Sequence, residues 1–317
     1  MITALWIAIA LILLLYVIPV GIVTCCLFSR KAPRDYDLDP QRLDRSDYAP
    51  WKERILADMA WMRGKASREV SVRAGDGVIL RGDWYDGGGE KTVILAHGFG
   101  TTPLNNFSSI ARAFLENGWN ALLLCQRAHG KSGGRATGLG MREGDDLLAW
   151  AHWAEENTAT RKAVLYGISM GGASVAWAAG KTPPKSVRAL VIDCAFYLPY
   201  RQMLDSREGF RGLLWRIMMP LIWLYVKAFV RLDIKKDARE SLKAARLPVY
   251  FLHGEMDKTV PAQSARDAWA ACGSRKELSI VPGAPHTLAF LAGGETEKKK
   301  LFAFLNECLS RQEEENR

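Results

Sequence analysis

Within this chain the stretch Gly167-Ile168-Ser169-Met170-Gly171 restricts the fold most. It follows an apolar run, residues 163–166, that reads as a buried strand, and it precedes small residues from Met170 to about Gly180 that read as a helix. A strand that turns straight into a helix at a serine forces that serine into strained backbone, so its neighbours must lack bulk. Gly167 and Gly171 meet that need. Such a turn lifts the Ser169 hydroxyl to the carboxyl end of a parallel sheet, while the helix start aims N–H groups and positive dipole at anything bound beside it. The pattern is that of a nucleophile elbow, and only partners in the right order separate it from a glycine-rich turn with an incidental serine.

The surrounding chain supplies the sheet. From Thr92 onward strands and helices alternate, as in a doubly wound α/β protein with a mostly parallel sheet. Strands are expected at 92–96, 120–125, 163–166, 187–193, 249–253 and 278–281, with helices near 107–116, 144–157, 170–179, 261–271 and 296–310. Ahead of them, 69–73 and 78–85 alternate around Ala74-Gly75-Asp76-Gly77 and read as an antiparallel hairpin.

The partners then fall on loops at the same face. Asp257 follows the strand ending at His253, and His286 follows the last strand through Pro282-Gly283-Ala284-Pro285. A protonated serine is a poor nucleophile. An imidazole must take its proton during attack and return it to the leaving group, and a carboxylate must hold the ring's tautomer. The order Ser169, Asp257, His286 fits those roles on this topology. Asp193 is a rival acid, and His97, His129, His152 and His253 complete the histidines. His253 is expected to support the loop bearing Asp257. For the oxygen anion of a tetrahedral intermediate, the N–H groups of Met170 and of Phe99, in the turn His97-Gly98-Phe99-Gly100, are the expected donors, each typically worth about 3 kcal/mol of barrier. His97 should brace that turn, and the loop from Arg127 and His129 to Gly134 should wall the site. Gly130-Lys131-Ser132 and Gly180-Lys181-Thr182 lack the earlier glycine of a phosphate-binding loop, so nucleotide hydrolysis is rejected. With no dinucleotide fingerprint or metal-ligand cluster, no cofactor and no metal are expected.

Three segments are expected: an N-terminal anchor at 1–29, a juxtamembrane linker with an amphipathic helix starting near Asp47 at 30–68, and the α/β domain at 69–317. Ile2 to Phe28 carry no charge and are long enough to cross a hydrocarbon core of about 30 Å. A cleaved signal peptide would carry positive charge ahead of its apolar run, where only Met1 stands; a lipoprotein site at Cys25 has the unsuitable Thr24 before it. Arg30, Lys31 and Arg34 follow, which places the domain on the cytoplasmic side of a single-pass membrane protein by the positive-inside rule. The linker helix either lies on the bilayer or packs on the domain. The net charge of +9 and pI near 9.3 form no single basic stripe, and no nucleic-acid motif appears, so anionic lipid is the expected beneficiary. Six cysteines include no Cys-x-x-Cys pair; Cys125 and Cys194 read as buried thiols, consistent with a reducing compartment.

One insertion, about 196–247, exceeds what a crossover needs. Its aromatic and Met-rich run, 213–230, is expected as a helical lid over the carboxyl ends of the strands. Because Arg216 and Lys227 bracket only ten uncharged residues and Pro220 breaks the helix, a second span is not expected.

Over about 69–310 these residues resemble the α/β-hydrolase family, most closely the membrane-anchored bacterial Bem46-like and serine aminopeptidase-like hydrolases. His97-Gly98-Phe99-Gly100, Gly118-Trp119-Asn120, Arg127 with His129-Gly130-Lys131-Ser132, Gly167 to Gly172, and His253-Gly254 with Asp257 match that pattern in order. The resemblance implies an eight-stranded core sheet and the catalytic roles assigned above. It departs at Gln126, where the family usually carries aspartate, and the residue affected is one that stiffens the following loop.

The expected activity is cleavage of carboxylic esters or thioesters of an apolar or lipid-like acyl group. The alternatives are a peptidase, for which Asp205 and Glu208 could hold a free amino terminus, and a non-catalytic membrane scaffold. Oligomeric state is not legible in the sequence.

Overall fold

The computed structural model describes residues 1–31, 41–44, 46–207 and 209–315. Eight strands, β1 (Arg68–Arg73), β2 (Ile79–Tyr85), β3 (Lys91–Ala96), β4 (Asn120–Cys125), β5 (Lys162–Ile168), β6 (Val187–Asp193), β7 (Val249–Gly254) and β8 (Lys276–Val281), form one sheet in the order β1-β2-β4-β3-β5-β6-β7-β8. β2 runs antiparallel to β1 and β4, and the remaining pairs are parallel. The hairpin forms as expected, closed by Gly77 N–H donating to Ala74 O at 2.8 Å.

The central strands are apolar throughout because helices cover both faces. Val93 and Leu95 of β3 point into one layer with Phe107, Phe114 and Tyr166. Ile94 and Ala96 point into the other, with Leu147, Trp150 and Val175. The helix Pro103–Glu116 starts four residues ahead of the expected 107, because Thr102 caps it by accepting from Asn105 N–H at 3.1 Å and Pro103 fits its first position. The final helix, Ala289–Glu315, is interrupted at Gly294 (φ 55°), two residues before its expected start.

Contacts divide the chain into two compact units: Lys31–Tyr197 with Ala238–Arg317, and Met1–Arg30 with Leu198–Asp237. In the larger unit, residues 41–44 and 46–68 of the segment expected as a linker belong to the folded body. Its helix begins at Lys52, after a single turn at Ala49–Trp51, and so five residues later than the expected Asp47. It buries Ile55 and Met59 with Leu43 and Leu288. Its Asp58 is fully buried and accepts from Arg54 at 2.8 Å and Arg112 at 3.0 Å. That packing selects the domain-bound alternative for this helix over the bilayer-bound one.

The smaller unit joins the apolar helix Ile2–Phe28 to the insertion helix Gly209–Val230. Pro220 does not break the latter, contrary to the expectation from its sequence; Met219 and Ile222 on either side of it are fully buried and hold the helix through the proline. Each of the two helices is long and apolar enough to cross a membrane by length and composition. Arg34 and Glu208 lie outside the described residues.

Candidate active site

Ser169 leaves β5 with φ 55° and ψ −114°, the strained conformation expected of the elbow. The tightness of the turn is measurable at the glycines. A Cβ on Gly167 would sit 2.0 Å from Gly171 O, and one on Gly171 would sit 1.7 Å from Ala96 O, so neither position admits any side chain. The helix Met170–Ala179 starts directly behind Ser169, with Ala173 N–H donating to Ser169 O at 2.9 Å.

Asp257 and His286 leave the carboxyl ends of β7 and β8 and meet Ser169. His286 Nδ1 lies 2.6 Å from Asp257 Oδ2, and His286 Nε2 lies 3.0 Å from Ser169 Oγ. Burial alone would raise the Asp257 pKa, but hydrogen bonds from His253 and His286 outweigh it and bring the value down to about 2. Its ionised carboxylate can only accept, so Nδ1 of His286 carries the ring proton and Nε2 offers its lone pair to the serine hydroxyl. The other Asp257 oxygen, Oδ1, accepts from the N–H groups of Thr259 and Val260, both at 2.8 Å. His253, fully buried, places Nε2 3.2 Å from Asp257 Oδ2 and 2.8 Å from Val260 O, so it props the acid and its loop together.

The rival acid does not reach the site. Asp193, at the end of β6, is fully buried and accepts from the Tyr166 hydroxyl at 3.1 Å. Burial pushes its pKa up to about 7. His152 is exposed on the helix Glu143–Asn157.

Two further histidines brace the turn that carries Gly98 and Phe99. His97 Nδ1 donates to Gly98 O at 2.7 Å while its Nε2 accepts from Gln126 N–H at 3.1 Å. Burial drops its pKa to about 3, so it is a neutral strut and no base. His129 Nε2 accepts from Gly100 N–H at 3.0 Å, and its Nδ1 donates to Arg127 O at 2.9 Å. Arg127 grips Asp146 through Nε and Nη2, both at 2.6 Å, and Asp76 through Nη1 at 2.7 Å, tying the loop to a helix and to the hairpin turn.

Gln126, the departure from the expected aspartate, takes up the bracing itself. Its side-chain amide donates to His97 O, and its Oε1 accepts from Ser174 Oγ at 3.1 Å. The amide therefore links the Gly98–Phe99 turn to the elbow helix.

Gly98, Phe99, Ser169 and His286 line one cleft of about 640 Å³. A Cβ on Gly98 would lie 3.4 Å from Ser169 Cβ, so the turn presses directly on the serine. Arg42, Ser46, Tyr48 and Thr287 close its other side. These were not found from sequence, because Arg42 to Tyr48 sit far up the chain in the segment read as a linker. Among the described residues one trio could present metal ligands, Cys194, Asp257 and His286, with ligand atoms within 4.8 Å of one another. Asp257 and His286 are committed to each other, and burial pushes the Cys194 thiol well above its ordinary pKa, so this donor set does not suit a resident metal.

A sequence model described as the α/β hydrolase fold matches residues 91–215. The protein YqkD of Bacillus subtilis is 28% identical over 227 residues, covering 68% of this chain and 71% of that relative. The protein bem46 of Schizosaccharomyces pombe is 28% identical over 188 residues, covering 58% of each. Among solved structures, the Pyrococcus furiosus esterase Pf2001 superposes with a TM-score of 0.63 at 23% identity, over 79% of this chain and 94% of that one. Sheet order, elbow and family match agree: the chain is an α/β-hydrolase-fold protein with Bem46 among its relatives.

Proposed function

We propose that this protein is a membrane-tethered serine hydrolase that cleaves carboxylic esters or thioesters through an acyl-enzyme. The observation that carries the reading is the continuous hydrogen-bonded line from Ser169 Oγ through the His286 ring to Asp257. His286 takes the hydroxyl proton as Ser169 attacks the acyl carbon, and the ionised Asp257 balances the imidazolium that forms. The Met170 and Phe99 N–H groups hold the oxygen anion, the first at the start of the elbow helix and the second in the turn braced by His97 and His129. His286 then protonates the leaving group, and a water activated by the same ring releases the acid.

The wiring argues against a scaffold, which has no chemical use for a tautomer-locked histidine beside a strained serine. Nothing favours the peptidase: Asp205, half of the pair that would hold an amino terminus, is bound by Arg201 of its own helix at 2.5 Å. Relatives with esterase chemistry, including the Pf2001 esterase, support the ester reading by analogy.

The apolar helix Ile2–Phe28 serves in this reading as the anchor, with Arg30 and Lys31 keeping the larger unit cytoplasmic. Only Ser29 and Arg30 separate that helix from Lys31. Lys31 N–H bonds Ala128 O at 2.8 Å, and its ammonium sits 5.3 Å from the Phe99 ring that lines the cleft. A cleft whose Phe99 neighbours a residue only three positions after the anchor in sequence suits an acyl group drawn from lipid. A fluorophosphonate probe tests the chemistry: wild type labels and Ser169→Ala does not, and equal labelling of both removes Ser169 from the mechanism. An ester series of increasing acyl length, set against aminoacyl amides, tests the substrate class; faster amide turnover contradicts it.

A further inference from the structure

The insertion helix Gly209–Val230 carries two faces that its position between β6 and β7 does not explain. Gly212, Met219, Ile222 and Val226 are buried, at helical spacing. Phe210, Leu213, Ile217 and Leu224 form the opposite face and are exposed, from 53% at Ile217 to 75% at Phe210, with Phe229 at 79% beyond them. A water-soluble surface rarely leaves so many large apolar side chains uncovered on one helix.

The buried side shows where this helix sits. Within the smaller unit it packs against the second half of the apolar helix Ile2–Phe28. Tyr16 donates to Ile217 O at 2.7 Å, and Tyr225 donates to Val17 O at 3.0 Å. Any Cβ at Gly21 would lie 3.1 Å from the Tyr225 ring, so the two helices meet there in direct contact. Among the described residues from Ile2 to Val17 none is buried, whereas Val20 and Thr24 are. The insertion therefore keeps to the half of the anchor that leads into the larger unit.

Chain length decides between crossing and lying flat. Both ends of the insertion return to the larger unit, at the buried Tyr197 and Ala238. A helix that crossed the bilayer would need one flank to come back through about 30 Å of hydrocarbon. The seven residues from Arg231 to Asp237 reach about 25 Å even when fully extended. On the other flank, the eleven residues between Tyr197 and Gly209 reach about 25 Å, because seven of them are coiled into the helix Pro199–Asp205. Neither flank can make the return.

Charge completes the picture. Between Leu198 and Asp237 stand eight Lys and Arg against four Asp and Glu, a net +4. Arg211, Arg216 and Lys227 are exposed on the helix itself. Long basic side chains beside an apolar face suit a helix lying at an anionic bilayer surface, their stems in hydrocarbon and their heads among phosphates.

Building on the anchor reading above, we propose that the insertion helix Gly209–Val230 lies in one leaflet of an anionic bilayer, the leaflet that holds the C-terminal half of the anchor, packed against that half and without crossing. The inference is tested with the full chain in phosphatidylcholine vesicles containing one quarter phosphatidylglycerol. Cys25→Ser and Cys26→Ser remove the exposed cysteines, the other four being buried. Single cysteines then carry an environment-sensitive fluorophore at Ile7, Leu213 or Phe229, and retained fluorophosphonate labelling shows that each variant is folded. Leu213 and Phe229 labels should be at least threefold less open to aqueous iodide than a label at His152, and quenched more by shallow than by deep spin-labelled lipid. Iodide reaching Leu213 and Phe229 while Ile7 stays protected overturns this inference and leaves the anchor standing. Iodide reaching all three overturns the anchor reading itself. Stronger quenching of either insertion label by the deep lipid contradicts the flat placement.

Discussion

One oxygen of Asp257 receives two histidines, His286 at 2.6 Å and His253 at 3.2 Å. The first is the base of the proposed mechanism, 3.0 Å from Ser169 Oγ, and the second is fully buried behind the acid, fixing it against Val260. Losing a hydrogen bond to a charged group costs about 1.5–3 kcal/mol. If that loss falls on the transition state it slows turnover about 10–100-fold. His253→Ala should accordingly lower kcat by that range with KM changed little, and His253→Gln, which keeps a donor, should recover part of the loss. A change confined to KM would remove His253 from the support of Asp257.

Asp257→Asn keeps the shape of the site but presents an N–H group or a neutral oxygen to His286, favouring the wrong tautomer. By analogy with other triads the loss in kcat is about 10⁴-fold. Steady-state hydrolysis of an activated ester measures it, and a loss below tenfold would show that Asp257 does not orient the base.

Gln126 joins the Gly98–Phe99 turn to Ser174 of the elbow helix. Gln126→Ala strands His97 O in a buried site, at a cost of about 1–3 kcal/mol, while the Ser174 hydroxyl keeps its bond to Met170 O at 2.9 Å. Urea denaturation should show that loss, and ester turnover should fall because the Phe99 N–H is less firmly placed. Unchanged stability would mean that a neighbouring group takes over the bond to His97 O.

Asp193 gives a pH-dependent test. Burial raises its pKa to about 7, whereas an unfolded aspartate titrates near 4. Below about pH 4 the group is protonated in both states; between there and pH 7 only the folded state holds the proton, so its contribution to stability falls as pH rises through that window. Asp193→Asn, permanently neutral, removes this slope. The variant should gain stability relative to wild type between pH 5 and pH 8, by on the order of a few kcal/mol. Parallel denaturation curves at both pH values would contradict it.

Much of the fold was legible because both faces of the central strands are covered, which leaves nearly unbroken apolar runs at β3, β4 and β5, each followed by a glycine-containing turn. The elbow announced itself through Gly167 and Gly171, where backbone of the elbow helix at the first and of β3 at the second leaves no room for a side chain. Two kinds of information stayed hidden. The wall of the cleft made by Arg42, Ser46 and Tyr48 comes from a segment whose mixed charges suggest a linker, and only the packing of that segment on Leu288 and the neighbouring helix brings it to the site. The second is Pro220, whose effect depends on the buried neighbours that hold its helix, a tertiary constraint absent from local sequence.

The central claim is that Ser169 carries the acyl group. Rapid quenching of the full chain with a p-nitrophenyl ester, followed by intact and peptide mass spectrometry, tests this most directly. The account predicts a burst of nitrophenol and one added acyl mass on the peptide containing Ser169, absent from Ser169→Ala. Turnover of the ester with no acyl mass on Ser169, or with the same mass in the alanine variant, would contradict it.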